Sequence, residues 1–131
     1  MKKLLEPWSP YLLSVLRIVA ALLLLQYGTA KLLGFPHNPY FDHLGVLSLP
    51  WIAGVIELVA GTLLTIGLFT RPIAFIVSGE MASAYFIEHA PRGFFPQLNH
   101  GDLAVALCFG FLYIAAAGPG PISLDGLLKR S

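Results

Sequence analysis

Four ionisable residues stand inside stretches that are otherwise almost free of charge: Arg17, Lys31, Glu57 and Glu80. In a lipid setting each would cost about 2.5–3.5 kcal/mol on insertion scales, so such groups turn towards one another and mark places where chemistry is done or helix register is fixed. Two cations and two carboxylates cancel. At about 1.5 Å of rise per helical residue, Arg17 lies about 9 Å and Glu80 about 12 Å from the same end of their segments, while Lys31 and Glu57 lie about 3 Å and 9 Å from the other. The depths predict two ion pairs, Arg17–Glu80 and Lys31–Glu57, the second bridged by the flexible lysine stem. Arg17, Gly28 and Lys31 fall on one helical face, Gly54, Glu57 and Gly61 on a second, and Glu80, Ala84 and Glu88 on a third. Small residues beside the carboxylate let a neighbouring helix come close.

A second group gathers towards the same end as Lys31: His37, His43, Glu88, His89, Asn99, His100 and Asp102. Histidine mixed with carboxylate suits a transition metal or a proton path. The spacing matches no ligand motif, so the expectation is a polar rim or proton path, with no metal. Lys31, Glu57 and Asp102 form the candidate catalytic set at this outer site. Arg17, Glu80 and Tyr27 form a candidate cofactor-binding interior, since an aromatic ring beside polar groups suits a flat ring such as a quinone. Cys108 is the sole cysteine of the chain, which excludes an intrachain disulfide and a CxxC redox pair. In its apolar run it reads as a small hydrophobe.

The elements that must position these groups follow from composition. Of 131 residues, 56% are hydrophobic and 11% charged, with a mean hydropathy of +0.75. Soluble domains carry about 25% charge, so too few charges exist here to cover a water-soluble surface, and disorder is excluded by the same numbers. A net charge of +1 leaves no basic field for nucleic acid. Four segments approach the length of about 20 residues that a bilayer requires: residues 11–33, 51–69, 72–89 and 101–118. The expectation is an all-α polytopic four-helix membrane bundle filling one domain over residues 1–131. Pro36, Pro39, Thr70-Arg71-Pro72, the aromatic Pro91–Pro96 loop and Gly118-Pro119-Gly120-Pro121 are the breaks. Lys2 and Lys3 ahead of an apolar stretch resemble a signal peptide. Arg17 and the length of the stretch argue instead for a retained span.

Four spans put both termini on one side, together with Lys2, Lys3, Arg71, Lys129 and Arg130. The positive-inside rule makes that side cytoplasmic and the membrane the inner, or plasma, membrane.

These residues, taken in order, resemble the DoxX family of small four-helix membrane proteins. The likeness is carried by Leu16-Arg17, Gly28 and Lys31-Leu32, then Gly54, Glu57, Gly61, Leu64, Gly67-Leu68 and Thr70-Arg71. Gly93-Phe94-Phe95-Pro96, Asn99, Gly101-Asp102 and the ending Gly118, Gly120 and Ser123-Leu124-Asp125 extend it over nearly the whole chain. Asp102 departs from the pattern, where a glutamate is expected. The resemblance implies similarity to a subunit of thiosulfate:quinone oxidoreductase and to membrane complexes that handle oxidative or sulfur stress. Two functions compete. One is the membrane subunit of a redox assembly that meets quinone or small sulfur and thiol reductants, with no intrinsic cofactor beyond a quinone and with redox proteins or further copies of itself as partners. The other is a non-enzymatic scaffold or small-solute carrier whose buried ion pairs are structural.

Overall fold

The computed structural model describes residues 1–129, so Arg130 lies outside the described residues. They form helices and connections, with no strand among the described residues. Four long helices carry the architecture: α1 (Ser9–Leu33), α2 (Leu49–Ile66), α3 (Thr70–Ala84) and α4 (Asp102–Ala117). A π-helical turn, Tyr85–His89, continues α3. The bounds lie within a few residues of the sequence expectation, and capping decides the ends. Pro10 and Pro50 sit in the first turns of α1 and α2, where a missing amide costs nothing. Ser48 accepts from the Trp51 amide to open α2. Gly34 and Gly67 close α1 and α2 in the left-handed conformation.

Packing runs α1 on α2 and α4 on α3, with thinner contacts from α2 to α3 and from α1 to α4. The α1–α2 seam is close because it must be: a Cβ on Gly28 would stand 2.5 Å from the Leu58 amide nitrogen, and one on Gly61 would stand 2.9 Å from Leu25 Cα. The shared interior is made of Ala20, Ala21 and Leu24 from α1, Leu64 from α2, Val77 from α3, and Phe111 and Ile114 from α4. Ser78 adds a polar tie, its hydroxyl donating to the Cys108 carbonyl at 2.7 Å.

The outward faces reverse the pattern of a soluble protein. Val15, Val19, Leu22, Val59, Phe75, Ile76 and Phe109 are exposed, whereas Ser14, Arg17 and Glu57 are buried. Exposed apolar surface on this scale marks contact with lipid or another apolar phase. The helix running Lys2–Leu33 and the helix Leu49–Ile66 are long and apolar enough to cross a membrane, and Asp102–Ala117 is apolar but shorter.

Candidate functional site

Charges inside the fold separate into two places. At the end where the first turns of α1 meet the segment after Gly118, Arg17 is completely buried. It does not pair with Glu80, which corrects the sequence expectation. Its Nε donates to the Leu64 carbonyl at 2.9 Å, Nη1 to Pro119 O, and Nη2 to Ile122 O at 2.7 Å and Thr65 O at 3.4 Å. Leu64 and Thr65 belong to the last turn of α2, whose carbonyls lack helical partners and carry the negative end of the helix dipole. The chain after Gly118 folds back beneath α1 and offers two more carbonyls. Backbone carbonyls take the part that an opposite side-chain charge was expected to play. Arg17 is on the wall of neither cavity described below.

The same end is closed by the Ser123-Leu124-Asp125 segment. The Asp125 carboxylate accepts from the Phe69 and Thr70 amides, both at 2.9 Å, and so caps the start of α3 from 55 residues away. Ser14 Oγ donates to Pro119 O at 3.1 Å and accepts from the Ile122 amide at 3.0 Å. Arg71 reaches the carbonyls of Ala115 and Ala116 at the end of α4.

The second place lies towards the opposite end. Lys31 of α1 meets Glu57 of α2 through both carboxylate oxygens, at 2.9 and 3.2 Å, with side chains only 12% and 4% exposed. Gly54 makes room, since a Cβ there would come within 2.9 Å of Lys31 Cβ. Glu80 approaches from α3 and interacts electrostatically with Glu57 and with Lys31. Both of its carboxyl oxygens are buried, and neither makes a hydrogen bond of normal geometry. The cluster thus joins three helices and holds one more carboxyl than it has ammonium groups to match.

Two cavities adjoin it. One, of about 200 Å³, opens among Tyr27, Lys31, Glu57, Phe41, Met81 and Leu107, with Tyr40, Glu88, His89, Arg92 and His100 also on its wall. The other, of about 220 Å³, is a cleft between α2 and the α3 extension, walled by Pro50, Ile52, Ala53, Ile56, Ala84 and Ile87 and reached by Lys31, Glu80 and Glu88. Lys31 and Glu88 belong to both, and Tyr27 to the first alone.

Asp102 is exposed at the first position of α4 and lines neither cavity. The inward face of α4 is Ala104, Leu107, Phe111 and Ile114, and a step of two residues from Ala104 turns Asp102 about 200° away from it. Of the histidines at this end, His37 contacts Asp42 at 2.9 Å and His89 contacts the Asn99 carbonyl at 3.0 Å. Among the described residues, no three His, Cys, Asp or Glu side chains converge as a metal site would require.

Sequence reasoning passed over Tyr40 and Phe41, which bring aromatic rings over two cations at this end. Lys31 Nζ stands 5.4 Å from the Phe41 ring centre, and the Arg92 guanidinium 5.9 Å from that of Tyr40. Their signal is the Asn38-Pro39 turn, in which the Asn38 side chain accepts from the Tyr40 amide at 3.0 Å. Asn99, fully buried, is the organiser of the other loop. It donates to Tyr85 Oη at 3.1 Å and Gly93 O at 2.9 Å, and accepts from the Gly101 amide at 2.8 Å.

An all-helical chain with apolar outward faces and ionisable groups turned inward is an integral membrane protein. The chain belongs to the DoxX family, whose model matches residues 12–90. It is 47% identical over 126 residues to an uncharacterised protein of Haemophilus influenzae, covering 92% of this chain and 93% of that one. It is 29% identical to the inner membrane protein YphA of Escherichia coli, covering 88% and 89% of the two chains. It is also 25% identical to the uncharacterised membrane protein Rv3486 of Mycobacterium tuberculosis, covering 98% and 88%. No solved structure matches it.

Proposed function

We propose that the chain is a four-span inner-membrane protein with both termini cytoplasmic, acting as the membrane subunit of a redox assembly that meets a quinone or a small sulfur or thiol reductant. The observation that carries this reading is the buried Lys31–Glu57 pair on the wall of the cavity with Tyr27 and Phe41. The cavity combines aromatic and aliphatic walls with a few convergent polar groups, the usual make-up of a small-molecule site. A quinone bound there supplies a carrier for electrons and protons. The chain's own part is to hold it: Lys31 directs a positive charge at a carbonyl oxygen, Tyr27 and Phe41 flank the ring, and Glu57 and Glu88 exchange protons with the outer side. Electrons pass to or from a partner protein, since the sequence carries no haem or iron–sulfur motif. The inner-membrane location is supported by the likeness to YphA, and the orientation by the placement of Lys2, Lys3, Arg71 and Lys129.

Purification in mild detergent, followed by extraction and assay for quinone, tests the reading. Bound quinone that Glu57→Gln releases from a still folded protein is the expected result. A protein that neither retains quinone nor binds it when added overturns the reading. Single-cysteine variants Lys2→Cys and Asn38→Cys, in a Cys108→Ser background, test the orientation. An impermeant thiol reagent applied to intact spheroplasts should label the second and not the first.

The scaffold reading is supported by one observation of its own. Arg17 is a buried ion whose bonds all go to backbone carbonyls, which is the work of holding a fold. If Glu57→Gln left assembly with partners intact and removed no quinone-linked activity, the scaffold reading would take precedence.

A further inference from the structure

The cleft between α2 and the α3 extension is distinct from the cavity assigned above, and its chemistry differs. Its polar lining is Lys31, Glu80 and Glu88, with Ser83, whose hydroxyl donates to the Gly79 carbonyl. Lys31 is already held by both oxygens of Glu57, so its charge is matched before the cleft is reached. Glu80 and Glu88 then remain as carboxyl groups without a cation of their own, and the buried carboxyl of Glu80 meets the Glu57 carboxylate, with which it shares the single Lys31 charge. In a low-dielectric surrounding an unmatched carboxylate must be neutralised by a proton or by a cation. Leu49, Pro50, Ile52, Ile56 and Ile87 make the apolar part of the wall.

We propose that this cleft is a binding site for a lipophilic organic ammonium ion, whose charge sits at Glu80 and whose apolar body lies against α2. A volume of about 220 Å³ suits a single ring or a short branched chain. The cation and the proton compete for the same carboxylate. Entry of one therefore releases the other, and the displaced proton leaves through Glu88 at the exposed mouth. The groups facing Glu80 are Lys31 from α1, Glu57 from α2 and Glu88 from its own extension. His89, His100 and Arg92 lie on the adjoining outer cavity, and α4 brings no ionisable group to the cleft itself. Cation binding consequently weakens as pH falls. This assignment is independent of whether a quinone occupies the outer cavity.

The test is isothermal titration of the full-length protein in nanodiscs with benzyltrimethylammonium, whose charge does not vary with pH, and with neopentylbenzene, its uncharged isostere. Saturable binding of the cation alone is expected, with affinity falling on acidification and proton release visible as a dependence on buffer ionisation enthalpy. Glu80→Gln should weaken binding at least tenfold, and Glu88→Gln by less. Equal binding of the two isosteres, no saturable binding of either, or unchanged affinity in Glu80→Gln would overturn the assignment. If that variant fails to fold, the wild-type pH series decides alone: an affinity for the cation that is independent of pH overturns it equally.

Discussion

The two ends of the helical bundle hold buried charge in opposite ways. Where the first turns of α1 meet the segment after Gly118, Arg17 is bonded to carbonyls from α2 and from the returning Pro119–Ile122 strand of chain, and Asp125 is bonded to amides that open α3. These groups bind backbone, whose position the fold already fixes. At the other end, Lys31, Glu57 and Glu80 bind or face one another, two cavities adjoin them, and a carboxyl is left over. A charge that binds backbone is a clamp. A charge that binds side chains beside a cavity can change partner when a proton or ligand arrives, and that is why function is assigned to the Lys31 end.

The largest expected effect tests the clamp. Arg17→Met removes the donors that serve the Leu64, Pro119 and Ile122 carbonyls. Each buried acceptor left unsatisfied costs about 1–3 kcal/mol, so the variant should lose several kcal/mol and fail to survive purification as a monodisperse species. Arg17→Lys should rescue little, because one ammonium cannot reproduce the planar fork. A variant with unchanged thermal unfolding in detergent would show that the returning segment is held by other contacts.

Next comes Asp125→Ala, which uncaps the Phe69 and Thr70 amides and should cost about 0.5–2 kcal/mol. The lowered melting temperature should be accompanied by faster proteolysis of the C-terminal segment, with quinone and cation binding unaltered. Loss of binding without loss of stability would mean that the two ends are coupled, contrary to the division drawn here.

How much of this was legible in the sequence differs between the two ends for a physical reason. Lys31–Glu57 was readable because side chain meets side chain, and helical angle and depth are enough to place such a pair. The close seam was readable from Gly28, Gly54 and Gly61. The partners of Arg17 were not, because carbonyls are present at every residue and only the fold decides which are left free. Asp125 belongs to a motif visible in the sequence, yet its targets lie 55 residues away and depend on how Gly118–Pro121 turns. The Tyr85–His89 π-turn, which shifts the register at the rim, carries no sequence signature of its own.

A third variant asks whether the outer pair is dispensable to folding. Lys31→Met combined with Glu57→Gln replaces a buried ion pair by neutral groups of similar size, a change that often costs nothing. Stability should fall by no more than about 1 kcal/mol, while quinone binding is lost. The contrast with Arg17→Met is the sharpest form of the comparison. A double variant that unfolds as readily as Arg17→Met would make the outer pair a clamp as well and favour the scaffold reading.

The smallest effect concerns Asp102, which sequence reasoning joined to Lys31 and Glu57. It opens α4 on the exposed side of the helix, where its charge favours the helix N-terminus by about 0.3–1 kcal/mol. Asp102→Asn should therefore shift the melting temperature slightly and leave ligand binding within about twofold, a change of well under 1 kcal/mol. Glu88, by contrast, reaches both cavities from the turn that extends α3. If Asp102→Asn weakened binding tenfold while Glu88→Gln did not, the outer site would be completed by α4 rather than by the extension of α3, and the proton route assigned to Glu88 would pass to Asp102.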